Sequence, residues 1–379
     1  MLKVMTIVGT RPEIIRMSRT IARFDEHCTH VLVHTGQNYD YELNEVFFQE
    51  LGIRRPDVFL EAAGQTAAET IGRVIMAADT AFDAHRPDAV VLLGDTNSCL
   101  AAIAAKRRKI PIFHLEAGNR CFDFRVPEEI NRRIVDHIAD INLPYSDIAR
   151  EYLLREGFPP DQIIKIGSPM REVLEHHRVG IEASDVLTRL GLDEHGYFVV
   201  SAHREENVDS PDRLRLVVGV INGLAERFGQ PVIVSTHPRT RKRLEALAME
   251  THPLAQFHKP FGFLDYIKLQ TRARAVLSDS GTITEEASIL NFRALNLREV
   301  HERPEGIEEA AVMMVGLDLP RILQGLSILE GQPRGDERAL ELVKDYATTN
   351  VSEKVLRIVV SYTDFVNRRV WRKDATPSG

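Results

Sequence analysis

Short apolar runs alternate with longer stretches of helical periodicity along most of the chain, and this alternation narrows the possible folds more than any other property. "KVMTIVG", "HVLVHT", "AVVLLGD", "PIFHLEA" and "INLPYS" read as strands. "PEIIRMSRTIARF", "TAAETIGRVIMAADTAFDAH", "SCLAAIAAKRR", "PEEINRRIVDHIAD" and "SDIAREYLLREG" read as helices. Strands that alternate with helices in this way form a parallel sheet covered on both faces. Pro12 falls near the start of the first helix, where its missing N–H removes no bond. The fold class expected is α/β.

A polar interval, "HHRVGIEASDVLTRLGLDEHG" (176–196), interrupts the pattern, which restarts at "YFVVSAH" and continues through "PVIVSTH", "RAVLSDS" and "RALNLRE". The 379 residues suffice for two domains. The expected division gives residues 1–168 to an N-terminal domain and 169–355 to a C-terminal one. The final amphipathic stretch, placed as a helix over 356–379, is long enough to pack back on the first domain.

Hydrophobic residues make up 44% and charged residues 27% of the chain, the balance of a soluble globular protein. A net charge of −7 gives no general attraction to nucleic acid or anionic membrane, so basic residues are read locally as pockets. The three cysteines form no C-x-x-C pair, which points away from a zinc site or disulfide framework and toward a reducing cytoplasm. The N-terminal "MLKVMTIVGTRPE" turns polar too soon for a signal peptide, and no apolar run approaches the roughly 18 residues that span a bilayer. The sequence has no G-x-G, no P-loop and no D-x-D. Nicotinamide and ATP chemistry are therefore disfavoured.

Two strand-like runs in "VLLGDTNSCLAAIAAKRRKIPIFHLEAGNR" stop on carboxylates, Asp95 and Glu116. Open α/β sheets do their chemistry just outside the carboxyl ends of their strands, so these two acids are candidates for a catalytic pair. "VGTRPE" puts Arg11 at a strand–helix junction, where a guanidinium can clamp phosphate; the plainer reading is a surface arginine. "LSDSGTITEEA" ends a strand and opens a helix at once. Ser280 and Thr282 can cap it, its N–H groups face outward to an anion, and Glu286 lies one turn inside, where it could accept ribose hydroxyls. Acids there also simply complement the helix dipole. His203 in "SAHREEN" and His237 in "STHPRTR" follow equivalent strands, and each could be structural or could serve a proton or hydrogen bond. "RVPEEINRR" brings Glu128 to a helix start, and "HERPEG" concentrates Glu302, Arg303 and Glu305 in one short connection.

The motifs "GTRPE", "GDT", "EAG", "PEE-NR", "HR-EN", "SDSG-----EEA" and "ERPE", in this order and spacing, resemble the non-hydrolysing UDP-N-acetylglucosamine 2-epimerases over about residues 3–370. "HLEAGNRCFD", "VSAHREENVD", "STHPRTR", "DSGTITEE" and "SYTDFVNRRVW" look like the subgroup that makes UDP-N-acetyl-L-fucosamine from its talo epimer. The resemblance implies a GT-B architecture, two Rossmann-like domains with the active site in the cleft between them. It also implies a homodimer, a UDP-N-acetylhexosamine substrate and no cofactor. It assigns catalysis to Asp95, Glu116, Glu128 and His203. It assigns substrate binding to Arg11, Arg16, Arg132, His237, Ser280, Gly281, Thr282, Glu286 and Arg303.

The chain departs from the family pattern at four places. Arg16 replaces a usual lysine, Glu205 an arginine, Thr282 a glycine, and Asn38 a histidine tied in some members to activation by substrate. Two other readings compete: a GT-B glycosyltransferase, which would need an acceptor, and a UDP-sugar sensor, which would bind without turnover.

Overall fold

A computed structural model of the chain describes residues 1–36, 41–208, 210–236, 240, 241, 243, 244, 247 and 249–373. They fall into two compact units, Met1–Glu175 with Asp345–Gly379, and His176–Lys344.

The first unit carries β1 (Lys3–Val8), β2 (Thr29–His34), β3 (Val58–Phe59), β4 (Ala89–Leu93), β5 (Ile112–Leu115) and β6 (Ile141–Leu143). Their order is β3-β2-β1-β4-β5-β6, and every pairing is parallel. The all-apolar run of β4 is buried at each of its residues, as a strand covered on both faces requires. Met5, Ile7, Val90 and Leu92 pack on one face against Val74, Ala78 and Phe82 of the helix Ala67–His85. Thr66 caps that helix by accepting the Glu69 N–H at 3.1 Å.

The helix Val351–Arg369 packs along the helix Arg11–His27, and Arg23 Nη2 meets Glu353 Oε2 at 2.6 Å. The stretch read as one helix from Ser98 onward opens instead with a 3-10 turn, Asn97–Ala101, before the helix Ala102–Arg107. Thr96 sets that turn by taking the Ser98 N–H on its hydroxyl and the Cys99 N–H on its carbonyl.

The second unit carries β7 (Phe198–Ser201), β8 (Val232–Ser235), β9 (Ala255–His258), β10 (Ala275–Ser278), β11 (Ala294–Asn296) and β12 (Met313–Met314). Their order, β12-β11-β10-β7-β8-β9, repeats the topology of the first sheet, again all parallel. Both units are Rossmann-like, the pair that defines the GT-B class. In each sheet the strand order reverses once, between β1 and β4 and between β7 and β10, and open α/β sheets place ligands at that switch point.

The first unit boundary falls after Glu175 rather than residue 168, and the second falls before Asp345 rather than residue 356. The helix Met170–His176 stays with the first unit because Glu172 accepts the Ser352 N–H at 2.9 Å and Arg171 Nη1 donates to the Ala347 carbonyl at 3.1 Å. The interval 176–196 is not bare linker: it forms the helices Arg178–Ala183 and Val186–Leu190, which bury Ile181 and Val186. Among the described residues, no helix is long and apolar enough to cross a membrane.

Candidate active site

At the switch point of the first sheet, β1 runs into Gly9-Thr10 and the helix Arg11–His27. Glu13, at the third helical position, completes a capping box and is fully buried. Its Oε2 accepts the N–H groups of Gly9 and Thr10, and its Oε1 accepts the hydroxyls of Thr96 and Ser98. One carboxylate thus ties the turn after β1 to the turn after β4. Burial pushes the Glu13 pKa up, and the four donors offset only part of that.

Asp95 stands two residues past the end of β4. Arg132 holds it with Nε at 3.0 Å and Nη2 at 2.6 Å, both on Oδ2. Asn131 Nδ2 donates to the Asp95 carbonyl at 2.9 Å. Asp95 therefore meets two consecutive residues of the helix Pro127–Ile138, whose proline stands at the first helical position.

Glu116 directly follows β5 and takes φ 65°, the left-handed region that a non-glycine residue avoids unless its surroundings enforce it. Here they do. Arg16 pairs with Glu116 Oε2, with both side chains buried, and Asn119 Nδ2 donates to Oε1 at 3.2 Å. The two acid-bearing turns lie side by side. Leu93 and Leu115 are in register, the Gly94 N–H donates to the Leu115 carbonyl at 3.0 Å, and a Cβ on Gly94 would stand 3.9 Å from Glu116 Oε2. Gly118 has φ 80° and would drive a Cβ to 2.4 Å from the Ala149 carbonyl oxygen, so this turn accepts only glycine.

Glu128 is half-buried in the first turn of the helix Pro127–Ile138. Its neighbour Glu129 is fully buried and accepts the Cys121 N–H at 3.0 Å and Arg132 Nη1 at 3.1 Å. Arg132 thus bridges Glu129 and Asp95. Arg11 lies over the Phe47 ring at 5.8 Å. The first unit therefore joins Asp95 to Arg132 and Glu116 to Arg16.

The second unit builds its switch point around Asp279, which follows β10 and is fully buried. Asp279 accepts the N–H groups of His203 and Arg204 at 3.0 Å and Asn207 Nδ2 at 3.0 Å. His203 Nδ1 lies 3.4 Å from both Ser201 Oγ and Asp279 Oδ1, while the ring stays exposed. The helix Thr282–Leu290 begins two residues beyond Ser280. Ser280 Oγ lies 3.0 Å from Thr282 Oγ1 and accepts the Thr282 N–H at 3.3 Å.

A Cβ on Gly281 would lie 2.7 Å from Glu302 Oε1, an oxygen that Arg204 Nη2 already meets at 3.1 Å. Glu286 is buried and accepts Gln270 Nε2 at 2.8 Å. Arg303 reaches the adjacent Glu285 at 3.5 Å. His203, Ser280, Gly281 and Thr282 thus flank one switch point, with Glu286 a turn inside the helix. His237 and Asn38 lie outside the described residues.

The sequence reading assigns no role in the site to Glu13, Asp279 or Glu129. Glu13 carried a legible signal, the T-x-x-E of a capping box. Asp279 ends a strand just as Asp95 does. Glu129 carried none, because two adjacent helical acids do not reveal which one faces inward. Among the described residues, no cluster of three or more His, Cys, Asp or Glu is arranged to hold a metal ion.

The sequence profile of the family described as UDP-N-acetylglucosamine 2-epimerase matches residues 22–360. UDP-2,3-diacetamido-2,3-dideoxy-D-glucuronate 2-epimerase of Pseudomonas aeruginosa is 33% identical over 345 residues, covering 89% of this chain and 95% of that protein. The solved structure of UDP-N-acetylglucosamine 2-epimerase from Rickettsia bellii superposes with a TM-score of 0.91 at 51% identity, covering 98% of this chain and 100% of the other. That of the Methanocaldococcus jannaschii UDP-GlcNAc 2-epimerase in complex with UDP-GlcNAc and UDP gives a TM-score of 0.88 at 31% identity, covering 95% and 100%.

Proposed function

The chain belongs to the UDP-N-acetylglucosamine 2-epimerase family and is thereby a non-hydrolysing epimerase, an isomerase; we propose that it inverts the N-acetyl-bearing carbon of a UDP-N-acetylhexosamine by eliminating UDP and adding it back. One observation carries this reading: Asp95 and Glu116 stand on adjacent turns at the switch point of the first sheet, each paired with its own arginine.

The carbon to be inverted has no neighbouring carbonyl, so its proton is too weakly acidic to remove directly. Breaking the bond from the anomeric carbon to the diphosphate oxygen builds cationic character in the ring and acidifies that C–H. A carboxylate takes the proton, a double bond forms between the two carbons, and UDP leaves with the electron pair of the broken bond. A protonated acid then delivers a proton to the opposite face. The diphosphate oxygen re-forms the anomeric bond, and atoms and charge balance with no redox step.

Asp95, Glu116 and Glu128 supply the acids and bases. The ionised carboxylates also favour the cationic ring. Ser280, Gly281 and Thr282 hold the diphosphate at a helix N-terminus, with His203, Arg11 and Arg303 as further contacts. Glu286 accepts the ribose hydroxyls.

The substrate we favour is the L-6-deoxy pair, with UDP-N-acetyl-L-fucosamine as product for capsule or O-antigen polysaccharide and a homodimer in the cytoplasm as the working form. Its support is the subgroup spelling of "HLEAGNRCFD" and "SYTDFVNRRVW". The 51% identity to the Rickettsia bellii protein favours a second reading, the interconversion of UDP-N-acetylglucosamine and UDP-N-acetylmannosamine. Proton NMR of the purified protein with each UDP-N-acetylhexosamine and no acceptor tests both. The true substrate converts to an epimer mixture. A panel in which every sugar stays unchanged would remove the epimerase reading.

A further inference from the structure

His114, on β5, is fully buried between the two catalytic turns and is used by no step described above. Its Nε2 lies 2.8 Å from the Gly94 carbonyl oxygen and its Nδ1 lies 2.9 Å from Asp136 Oδ1. A carbonyl oxygen only accepts, so Nε2 carries a hydrogen. Asp136 is buried too, and its Oδ2 faces Arg120 Nη1 at 2.7 Å and the Gly118 N–H at 3.1 Å. A carboxyl group that receives an arginine and a backbone N–H is held ionised, so it accepts from Nδ1 as well. Both ring nitrogens then bear hydrogens.

The ring's two partners, and the Gly118 N–H that Asp136 also accepts, join three segments of the first unit's site. Gly94, at φ 75°, directly precedes Asp95. Gly118 follows Glu116 by two residues. Asp136 belongs to the helix Pro127–Ile138 that carries Glu128 and Arg132.

We propose that His114 is an imidazolium at neutral pH that acts as a positioning residue, fixing the Gly94–Asp95 turn and, through Asp136, the Glu116–Gly118 turn relative to each other. Charged groups face the ring from two elements. Asp136 comes from the helix below, Asp95 from the turn after β4, and Arg120 beyond Asp136 is itself matched by Glu156 with bonds of 2.8 and 2.7 Å. Burial alone would drive the proton off His114. Asp136, the Gly94 carbonyl and the Asp95 charge outweigh that and raise its pKa.

The kinetic part of this proposal rests on the epimerase reading; the state of the ring does not. Nitrogen-15 NMR of the full chain reads the ring directly. Both nitrogens of His114 should resonate as protonated from about pH 6 to about pH 8, a range in which an unperturbed imidazole, with a pKa of about 6.5, loses its proton. A neutral ring at pH 7 overturns the proposal, whether or not any variant folds. His114→Gln, neutral and able to satisfy only one of the two acceptors, should lower kcat about 100-fold, the scale set by a small misplacement of catalytic groups. UDP affinity and KM should barely move. Unchanged kcat in a folded variant would overturn the positioning role. Failure of the parental protein to epimerise any UDP-N-acetylhexosamine would remove the functional reading and leave the NMR result standing.

Discussion

Arg132 directs both of its contacts with Asp95 to a single oxygen: Nε at 3.0 Å and Nη2 at 2.6 Å converge on Oδ2. Among the described residues, Oδ1 takes no hydrogen bond, and the side chain keeps 20% of its surface exposed. The arginine thus orients the carboxylate through one oxygen, which is the arrangement the proposed acid/base role requires. Asp95→Asn keeps the shape and removes the base, so kcat should fall about 100-fold or more while UDP affinity holds. Arg132→Lys keeps the charge but not the two-pronged grip, and a loss of about tenfold in kcat is expected from the looser aim. Steady-state rates beside UDP titrations check both. Parental turnover in Asp95→Asn would strike it from the acid/base groups.

The sequence alone made the strand–helix alternation, the restart at Tyr197 and the acids beyond β4 and β5 legible, because interior strands buried on both faces must be continuously apolar. β3 and β9 escaped notice for the converse reason. They are edge strands, one of two residues and the other half-buried throughout, so no apolar run marks them. The motif spelling led to Asp95 and Glu116, but not to what holds them. The resemblance assigns Arg16 and Arg132 to substrate; in the structure Arg16 pairs with Glu116 and Arg132 with Asp95. Nothing in the spacing of residues 16 and 116, or of 95 and 132, announces those pairs, because they are set by the sheet order.

Glu13 provides a stability test. Four donors converge on it, two from backbone and two from hydroxyls. Glutamine can keep its oxygen on the backbone pair and donate its amide to the hydroxyls, which rotate to accept. Glu13→Gln should therefore cost little. Glu13→Leu orphans the Gly9 and Thr10 N–H groups and should cost about 3 kcal/mol at the usual penalty for buried unsatisfied groups. Urea unfolding of the two variants decides; equal losses would contradict the geometry.

Gly281 should respond to a single methyl group. Alanine there puts Cβ 2.7 Å from Glu302 Oε1, and that carboxylate cannot retreat freely because Arg298 Nη1 meets its other oxygen at 2.5 Å. Either the Ser280–Thr282 turn or the arginine pairs must shift. UDP affinity in Gly281→Ala should drop about tenfold, equivalent to about 1.4 kcal/mol. Calorimetric titration with UDP measures it, and parental affinity would show that the turn does not hold the diphosphate.

The buried His114–Asp136 pair sets a stability window in pH. Asp136 has a folded pKa below its ordinary 3.8: burial works against ionisation, but His114 and Arg120 prevail. Its contribution is present above pH 3.8 and is lost as pH falls through the lowered value. His114 has a folded pKa above its ordinary 6.5, so its contribution is full below 6.5 and is lost as pH rises through the raised value. Unfolding free energy should therefore decline on the alkaline side of 6.5. His114→Gln, if folded, should flatten that alkaline decline relative to the parental protein. An identical alkaline slope in the two would count against a charged ring.

The central claim is that the substrate's C–H and anomeric C–O bonds both break in each turnover. Epimerisation in deuterated water, with the substrate carrying an oxygen-18 label at the anomeric bridge, reads both bonds in one experiment. The account predicts one deuterium at the inverted carbon of the product and label spread into non-bridging diphosphate positions, with no acceptor or nicotinamide added. Epimerised product that keeps its original hydrogen at that carbon would contradict it.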